Sequence, residues 1–297
     1  MEKIILKNNY NIGGYEVGMN PSNLKIEYIK YKGENIIYNL KDSWKEAFPI
    51  LFPVCGKLND DKYTYNNEEY KIRMHGFLHE LNWILEDKTK NCISFKTTYD
   101  NNSFQKYPFK FEIMIDIFEI DETLKIRSTI KNIDNKLMYY NFGYHPSFSV
   151  SGDSVIKFPA HELFSDGLNY NSGFMKSDFK YNIKLKEFKL NELNFSEKGN
   201  TYLAFNSKIR SLNLINKKTI LEISFDNKND PNILLWQMGK KKEYVCIEPW
   251  WGLPDYSGEI IDSSLGNKQG ILTLKPNQSE TFDLSIQVKS KKEEYEN

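Results

Sequence analysis

The chain has 297 residues, with 40 Lys and Arg against 40 Asp and Glu and a formal net charge of zero. That balance excludes the basic surface with which nucleic-acid binders neutralise phosphates, and no stretch approaches the roughly 20 apolar residues that span a bilayer. Apolar residues make up 40% and aromatics 14%, enough for a sizeable core and weighted, through the many Tyr and Phe, toward strands.

At the N-terminus the apolar run Ile4, Ile5, Leu6 is closed by Lys7. A signal peptide needs ~7–15 apolar residues, so a cytoplasmic protein is expected. LKIEYIKY (24–31) reads as a strand, and a turn of helix is the reading for Asp42 to Ala47. ISFKTT (93–98) is a second strand. In FKFEIMIDIFEI, Phe109, Phe111, Ile113, Ile115 and Ile117 alternate with polar or exposed positions, the signature of a long antiparallel strand with one wet face. Asp121-Glu122 is a tight turn into TLKIRSTIKNI, where Leu124, Ile126, Ser128 and Ile130 share a face, so the two segments form a long hairpin. YNIKLKEF (181–188), TILEISFD (219–226) and TFDLSIQVK (281–289) continue the pattern, with Asn-rich and Asp-rich turns between them. No linker and no repeat divides the chain. It reads as one all-β domain over residues 1–297, a large antiparallel sandwich, with 289–297 as a frayed tail. Cys55, Cys92 and Cys246 are odd in number and far apart, which fits neither a disulfide framework nor a CxxC zinc site.

Four segments break the strand rhythm with Gly, Pro, His and Trp: AFPILFPVCGKL (47–58), RMHGFLHE (73–80), NFGYHPSF (141–148) and CIEPWWGLPD (246–255). His145 and Glu248 each precede a proline, which holds the preceding residue extended and donates no ladder hydrogen bond. Such a brace suits a group that must be held within a fraction of an ångström. Taken singly, a His-Pro or Glu-Pro pair is an ordinary strand terminus and a Trp an ordinary core residue; their coincidence is what points to a site. His75 and His79 have i, i+4 spacing, yet the surroundings oppose a helix and no third ligand is fixed, so no metal is expected. No dinucleotide, P-loop or α/β-hydrolase motif occurs, so no cofactor is expected. A carboxylate at Glu248 and an imidazole at His145 on opposite sides of an aromatic-walled pocket make a general base facing a general acid.

In this order, AFPILFPVCGKL, MHGFLHELNW, FGYHPSF and CIEPWWGLPD resemble the aldose 1-epimerase (galactose mutarotase-like) family, in its smaller bacterial branch, and GILTLKPNQSETFDLSIQV is similar to that family's final hairpin. The resemblance implies a galactose mutarotase-like supersandwich that interconverts the α and β anomers of a free aldose without metal or cofactor. On that resemblance Glu248 takes the proton from the anomeric hydroxyl, His145 protonates the ring oxygen, and His75 bonds the substrate near the reacting oxygens. Phe77, Trp250 and Trp251 are aromatic candidates for sugar contact. Lys57 stands where the family usually has arginine, and Asn200 where it usually has a sugar-binding aspartate, so galactose specificity is not implied. Arg73 keeps a hexose-6-phosphate 1-epimerase open as an alternative, and the Lys57 and Asn200 changes keep open a non-catalytic sugar-binding protein.

Overall fold

The computed structural model describes residues 8–38, 47–169, 173–176, 178, 180–192, 200–237, 243–257 and 263–291. The turn expected at 42–47 thus lies almost wholly outside the described residues. Burial alternates along Phe111–Ile120, with Phe111, Ile113, Ile115 and Ile117 inside. It alternates again along Thr123–Asn132, with Leu124, Ile126, Ser128 and Ile130 inside. The two strands pair without a break from Phe111↔Asn132 to Ile120↔Thr123. Asp121 and Glu122 close the hairpin with φ of 49° and 57°, the left-handed pair that suits a two-residue loop between twisted strands.

These strands belong to a 16-stranded antiparallel sheet. Its path runs from Ile50–Leu51 through Phe142–Tyr144, Tyr244–Trp251, Asn232–Trp236 and Asn200–Ala204 to the long Val155–Asn169. It continues through Ser211–Ile215, Thr219–Asp226, Ser279–Ser290, Thr123–Asn132, Phe111–Ile120 and Cys92–Thr98 to Ile84–Lys88. Val155–Asn169 is where the sheet changes layer. Its first residues pair with Ser211–Ile215 and its last with Asn200–Ala204, with a register shift between Ser165 and Leu168. The two layers then face each other. Phe142 of one stacks on Phe282 of the other at 4.5 Å between ring centroids, Trp251 lies 4.9 Å from Phe282, and the buried Tyr144 hydroxyl donates to the Phe282 carbonyl oxygen at 2.8 Å. The fold is the large antiparallel β-sandwich that the strand patterning calls for. Its main apolar cluster reaches from Tyr10 to Ile286, the non-directional burial that dominates the stability of such a sandwich.

Two local features differ from the sequence reading. Asn101–Lys106 is a short helix, started by a capping box in which the Asp100 side chain accepts from Ser103 N–H at 2.7 Å and Ser103 Oγ accepts from Asp100 N–H at 2.8 Å. The last strand also runs on to Ser290. Lys289 and Ser290, expected in a frayed tail, pair with Ile220 and Thr219, and Lys291 N–H donates to the Lys218 carbonyl oxygen. Ladder hydrogen bonds hold these residues although they bury little. Among the described residues no helix is long and apolar enough to cross a membrane.

Candidate active site

Strand register sets the central pair. Gly143 lies opposite Trp250 and Ser147 opposite Cys246, so the pairing continues across the interruption and places His145 across from Glu248. Pro146 interrupts the ladder because it has no N–H to give. His145 N–H donates instead to the Pro49 carbonyl oxygen at 2.9 Å. Side chains on neighbouring antiparallel strands at such positions stand about 4.5–5.5 Å apart at Cβ, and here the tips meet: His145 Nε2 is 3.2 Å from Glu248 Oε2, with the side chains 10% and 2% exposed. Alternation along Tyr244–Trp251 puts Cys246, Glu248 and Trp250 on one face and Ile247 and Trp251 on the other.

His75 reaches the pair from a turn. Gly76 N–H donates to the Arg73 carbonyl oxygen at 3.0 Å, and His75 and Gly76 have φ of 66° and 75°. His75 is held twice by Gly56: its own N–H donates to the Gly56 carbonyl oxygen at 3.0 Å, and its Nδ1 accepts from Gly56 N–H at 3.1 Å. With Nδ1 accepting, the neutral ring carries its proton on Nε2 and is a donor there. The His75 ring lies 5.7 Å from His145 and 5.4 Å from Trp250, edge to face with both, and Trp236 stands 5.6 Å from His145 on the other side.

These groups line a cavity of ≈ 50 Å³ whose other walls include Thr201, Leu168, Leu234, Met74 and Gly173. A larger one of ≈ 550 Å³ opens between Tyr31–Ile36 and the Asn216–Thr219 turn. Its ionisable lining is Lys32, Lys217, Lys218 and Lys289 with Glu34 and Glu122, whereas the smaller brings two histidines to a buried carboxylate, so chemistry rather than size selects the smaller. In the smaller cavity Thr201 Oγ1, Glu248 Oε2 and Trp250 Nε1 are buried without a completed hydrogen bond. The short His145–Glu248 contact is therefore close but not aligned as a hydrogen bond.

Burial disfavours charge on every member. It pushes the Glu248 carboxyl well above its ordinary 4.5, against the nearby Trp250 indole, which works the other way. It holds His145 well below 6.5, assisted by His75, and holds Cys55 and Cys246 as thiols, with the Glu248 charge adding to the effect. Both shifts favour the state in which the Glu248–His145 pair shares one proton and has no net charge. His75 is lowered to about 4, first by burial and then by Arg73.

The His75 shift has a thermodynamic consequence. Between pH 6.5 and about 4 the unfolded chain binds a proton at this position and the folded chain does not, so the contribution to stability is complete above pH 6.5 and is lost as pH falls through that window. Thermal unfolding from pH 7 to 4 is expected to show a drop in Tm that is smaller in a His75→Gln variant. The difference is on the order of 2 kcal/mol after discounting for the ring's partial exposure. A parallel decline in the two proteins contradicts the assignment.

Comparison with known proteins identifies the family. The family model for aldose 1-epimerase matches residues 25–287. The chain belongs to the aldose 1-epimerase family. The plasmid-borne protein LacX of Lactococcus lactis subsp. lactis is 26% identical over 262 residues, 83% of this chain and 84% of that protein. Among solved structures, a galactose mutarotase-like protein from Lactobacillus casei ATCC 334 superposes with a TM-score of 0.83 at 21% identity, covering 96% of this chain and 100% of that one. The galactose 1-epimerase from Lactobacillus acidophilus NCFM does so at 0.66 and 13% identity, covering 96% and 94%. Likeness at these identities shows the fold.

Within this family member, three residues expected at the sugar, Phe77, Trp251 and Arg73, lie elsewhere. Phe77 is 1% exposed and packs among Phe52, Tyr107 and Phe111 in the main core. Trp251 faces the opposite layer, where its indole N–H donates to the Asn229 carbonyl oxygen at 3.0 Å; strand alternation separates it from Trp250. Arg73 points away, bonding the Gly76 carbonyl oxygen at 3.1 Å and lying 3.5 Å from Glu80. Lys57 stands at the rim beside Gly56, its ammonium 5.4 Å above the Phe174 ring and 3.8 Å from Asp61. Asn200 opens Asn200–Ala204 and pairs with Asn169 through its backbone; its side chain lies outside the described set.

Two further expectations change. His145 and Glu248 are in contact rather than on opposite sides of the pocket, because they sit on adjacent strands in matching register. His75 and His79 do not converge: His79 lies against the Arg73 guanidinium and lines a separate cavity with Asn23 and Leu78. The sequence reading had missed Thr201 and Trp236. For Trp236 the signal was the run NILLW, which is buried at every position of Asn232–Trp236; Thr201, on the neighbouring Asn200–Ala204, lies outside that run. A strand with no wet face marks a sheet covered on both sides, and the second cover here is the layer around the cavity.

Proposed function

We propose that this protein is an aldose 1-epimerase acting on a free sugar, with His145 and Glu248 as the proton-transfer pair. The observation that carries the reading is the 3.2 Å separation of His145 Nε2 and Glu248 Oε2 at the cavity wall. Anomer exchange involves two oxygens on one carbon, the anomeric hydroxyl and the ring oxygen. Two proton-bearing atoms this close can each address one of them.

The reaction is neutral in protons overall. One group removes a proton from the anomeric hydroxyl while another delivers one to the ring oxygen, so the pair must hold a single proton between them. Burial favours that state, with no net charge. Proton transfer within the pair gives carboxylate and imidazolium, which hydrogen bonds to the entering sugar oxygens stabilise. Glu248 then takes the hydroxyl proton, His145 protonates the ring oxygen, and the bond from C1 to that oxygen breaks to leave an open-chain aldehyde. Rotation about C1–C2 and closure on the other face reverse both transfers. His75, its Nε2–H fixed by Gly56, donates toward the oxygen that gains charge. Trp250 and Trp236 offer aromatic surface to the apolar face of the ring.

An unphosphorylated substrate is favoured by where the three arginines are. Arg73 is turned to Glu80, Arg127 forms a two-point pair with Asp283, and Arg210 bonds Asp230. None lines the cavity. A cytoplasmic setting belongs to the same proposal, supported by three free cysteines. The test is polarimetry of freshly dissolved α-glucose and α-galactose, with their 6-phosphates for comparison. Faster approach to equilibrium with the free sugars is expected. No acceleration of any sugar, with binding still seen by calorimetry, points to a non-catalytic sugar-binding protein instead.

A further inference from the structure

The acid–base pair has a third neighbour that anomer exchange does not use. Cys246 lies two residues before Glu248 on the same strand face, and one donor atom from each of His145, Cys246 and Glu248 lies within 4.8 Å of the others, all three residues being buried. We propose that these three residues bind a zinc-like divalent cation and that this cation shuts the site by occupying the proton-transfer pair. The inhibitory part rests on the function proposed above; the binding part does not.

Nitrogen, sulfur and carboxylate oxygen are the donors that zinc takes, with three protein ligands and a fourth position left open in accessible sites. Metal–ligand bonds of about 2.0–2.3 Å in a tetrahedron place donors about 3.3–3.7 Å apart. His145 Nε2 and Glu248 Oε2, at 3.2 Å, already stand at that spacing, and a small shift brings in the sulfur. A second observation points the same way: Glu248 is 1% exposed and its Oε2, the oxygen facing His145, has no completed hydrogen bond. His145 and Glu248 line the cavity, whose ≈ 50 Å³ accommodates a water as the fourth ligand.

Charge favours the exchange. Without metal the neutral imidazole, thiol and carboxylic acid sum to zero. With metal, a dication, a thiolate and a carboxylate also sum to zero, the two displaced protons leaving to solvent. A buried site that stays neutral avoids the cost of an isolated charge. Metal and sugar then compete for the same two side chains.

Cobalt(II) added to the metal-free full-length protein is the direct probe. One equivalent per chain with a thiolate-to-cobalt charge-transfer band, displaced by zinc, is the expected result. The band is expected to persist in Cys55→Ser and Cys92→Ser and to vanish in Cys246→Ser. Glu248→Gln, which leaves the thiol in place, is the second variant should Cys246→Ser fail to fold; it is expected to weaken cobalt by at least the ~10-fold that an outer-shell change costs. Absence of the band in the wild type, or its survival in Cys246→Ser, overturns the site. Unchanged cobalt affinity in Glu248→Gln overturns it too. Zinc that binds here without slowing sugar exchange overturns the inhibitory role. A wild type that never accelerates exchange refutes the enzyme reading instead, and the cobalt spectrum still decides the site.

Discussion

A Glu248→Gln variant is expected to lose about 10²–10⁴-fold of the rate of anomer exchange, the range that a positioned general acid or base contributes. Glutamine fills the same volume and can still accept a hydrogen bond, but it cannot take up a proton, so the pair with His145 no longer has both a giver and a receiver. His145→Gln is expected to cost a similar factor, and the double variant little more than either alone, because groups that act as a unit are not additive. Stability separates this loss from misfolding. The folded-state value of Glu248 lies above the ordinary 4.5, so the contribution of this one group to stability is lost as pH rises above 4.5 in the wild type, a loss that Glu248→Gln does not share. Its Tm relative to wild type is expected to climb with pH while its activity stays low. Polarimetry and thermal unfolding on one preparation check both. A variant that exchanges anomers at the wild-type rate removes Glu248 from the mechanism, and a variant that is inactive but unfolded across the pH range removes the stability argument.

The pH dependence of the wild-type rate follows from the same proton count. The pair is competent with one proton, so activity falls at low pH when His145 gains a second and at high pH when Glu248 gives up the only one. Burial lowers the first value and raises the second, which widens the working range on both sides.

Much of the sandwich was legible because a strand with one wet face writes its orientation into alternate residues. Phe111–Ile120 and Thr123–Asn132 could be paired and their turn placed from the sequence. The short helix Asn101–Lys106 could not be found by periodicity, since six residues give no repeat; its one signal was the Asp100-x-x-Ser103 spacing of a capping box. At the site, the breaks in rhythm identified His75, His145 and Glu248, but not how they meet. The pairing of Gly143 with Trp250 and of Ser147 with Cys246 joins segments about a hundred residues apart, and no local pattern specifies it. Separating Trp250 from Trp251 was within reach, because alternation from Glu248 puts the first beside it and the second behind. Phe77 was harder. Its neighbours His75 and Gly76 belong to a turn, where period two does not apply.

That turn carries the other large expected effect. Gly76→Ala is expected to destabilise the protein by about 2–5 kcal/mol, from left-handed strain of about 1–2 kcal/mol and overpacking of about 1–3 kcal/mol. Gly76 has φ of +75°, and a Cβ there would lie 2.0 Å from the Phe52 carbonyl oxygen. That oxygen cannot easily yield, being the acceptor for Phe77 N–H at 3.0 Å, and Phe52 and Phe77 both pack in the aromatic core. The turn must then move, and it carries His75 with it. A misplacement near 1 Å is worth up to about 10²-fold in rate, so anomer exchange is expected to fall even under conditions where the variant is fully folded. Gly33→Ala supplies the comparison: φ is +86° and nothing lies within 4 Å of the added methyl, so it carries strain without collision and leaves His75 alone. Urea unfolding of the two variants, with exchange rates measured in the absence of denaturant, separates these contributions. Equal destabilisation by Gly76→Ala and Gly33→Ala, with equal activity, means that contact with Phe52 does not hold the turn and that His75 is positioned by its two hydrogen bonds to Gly56 alone.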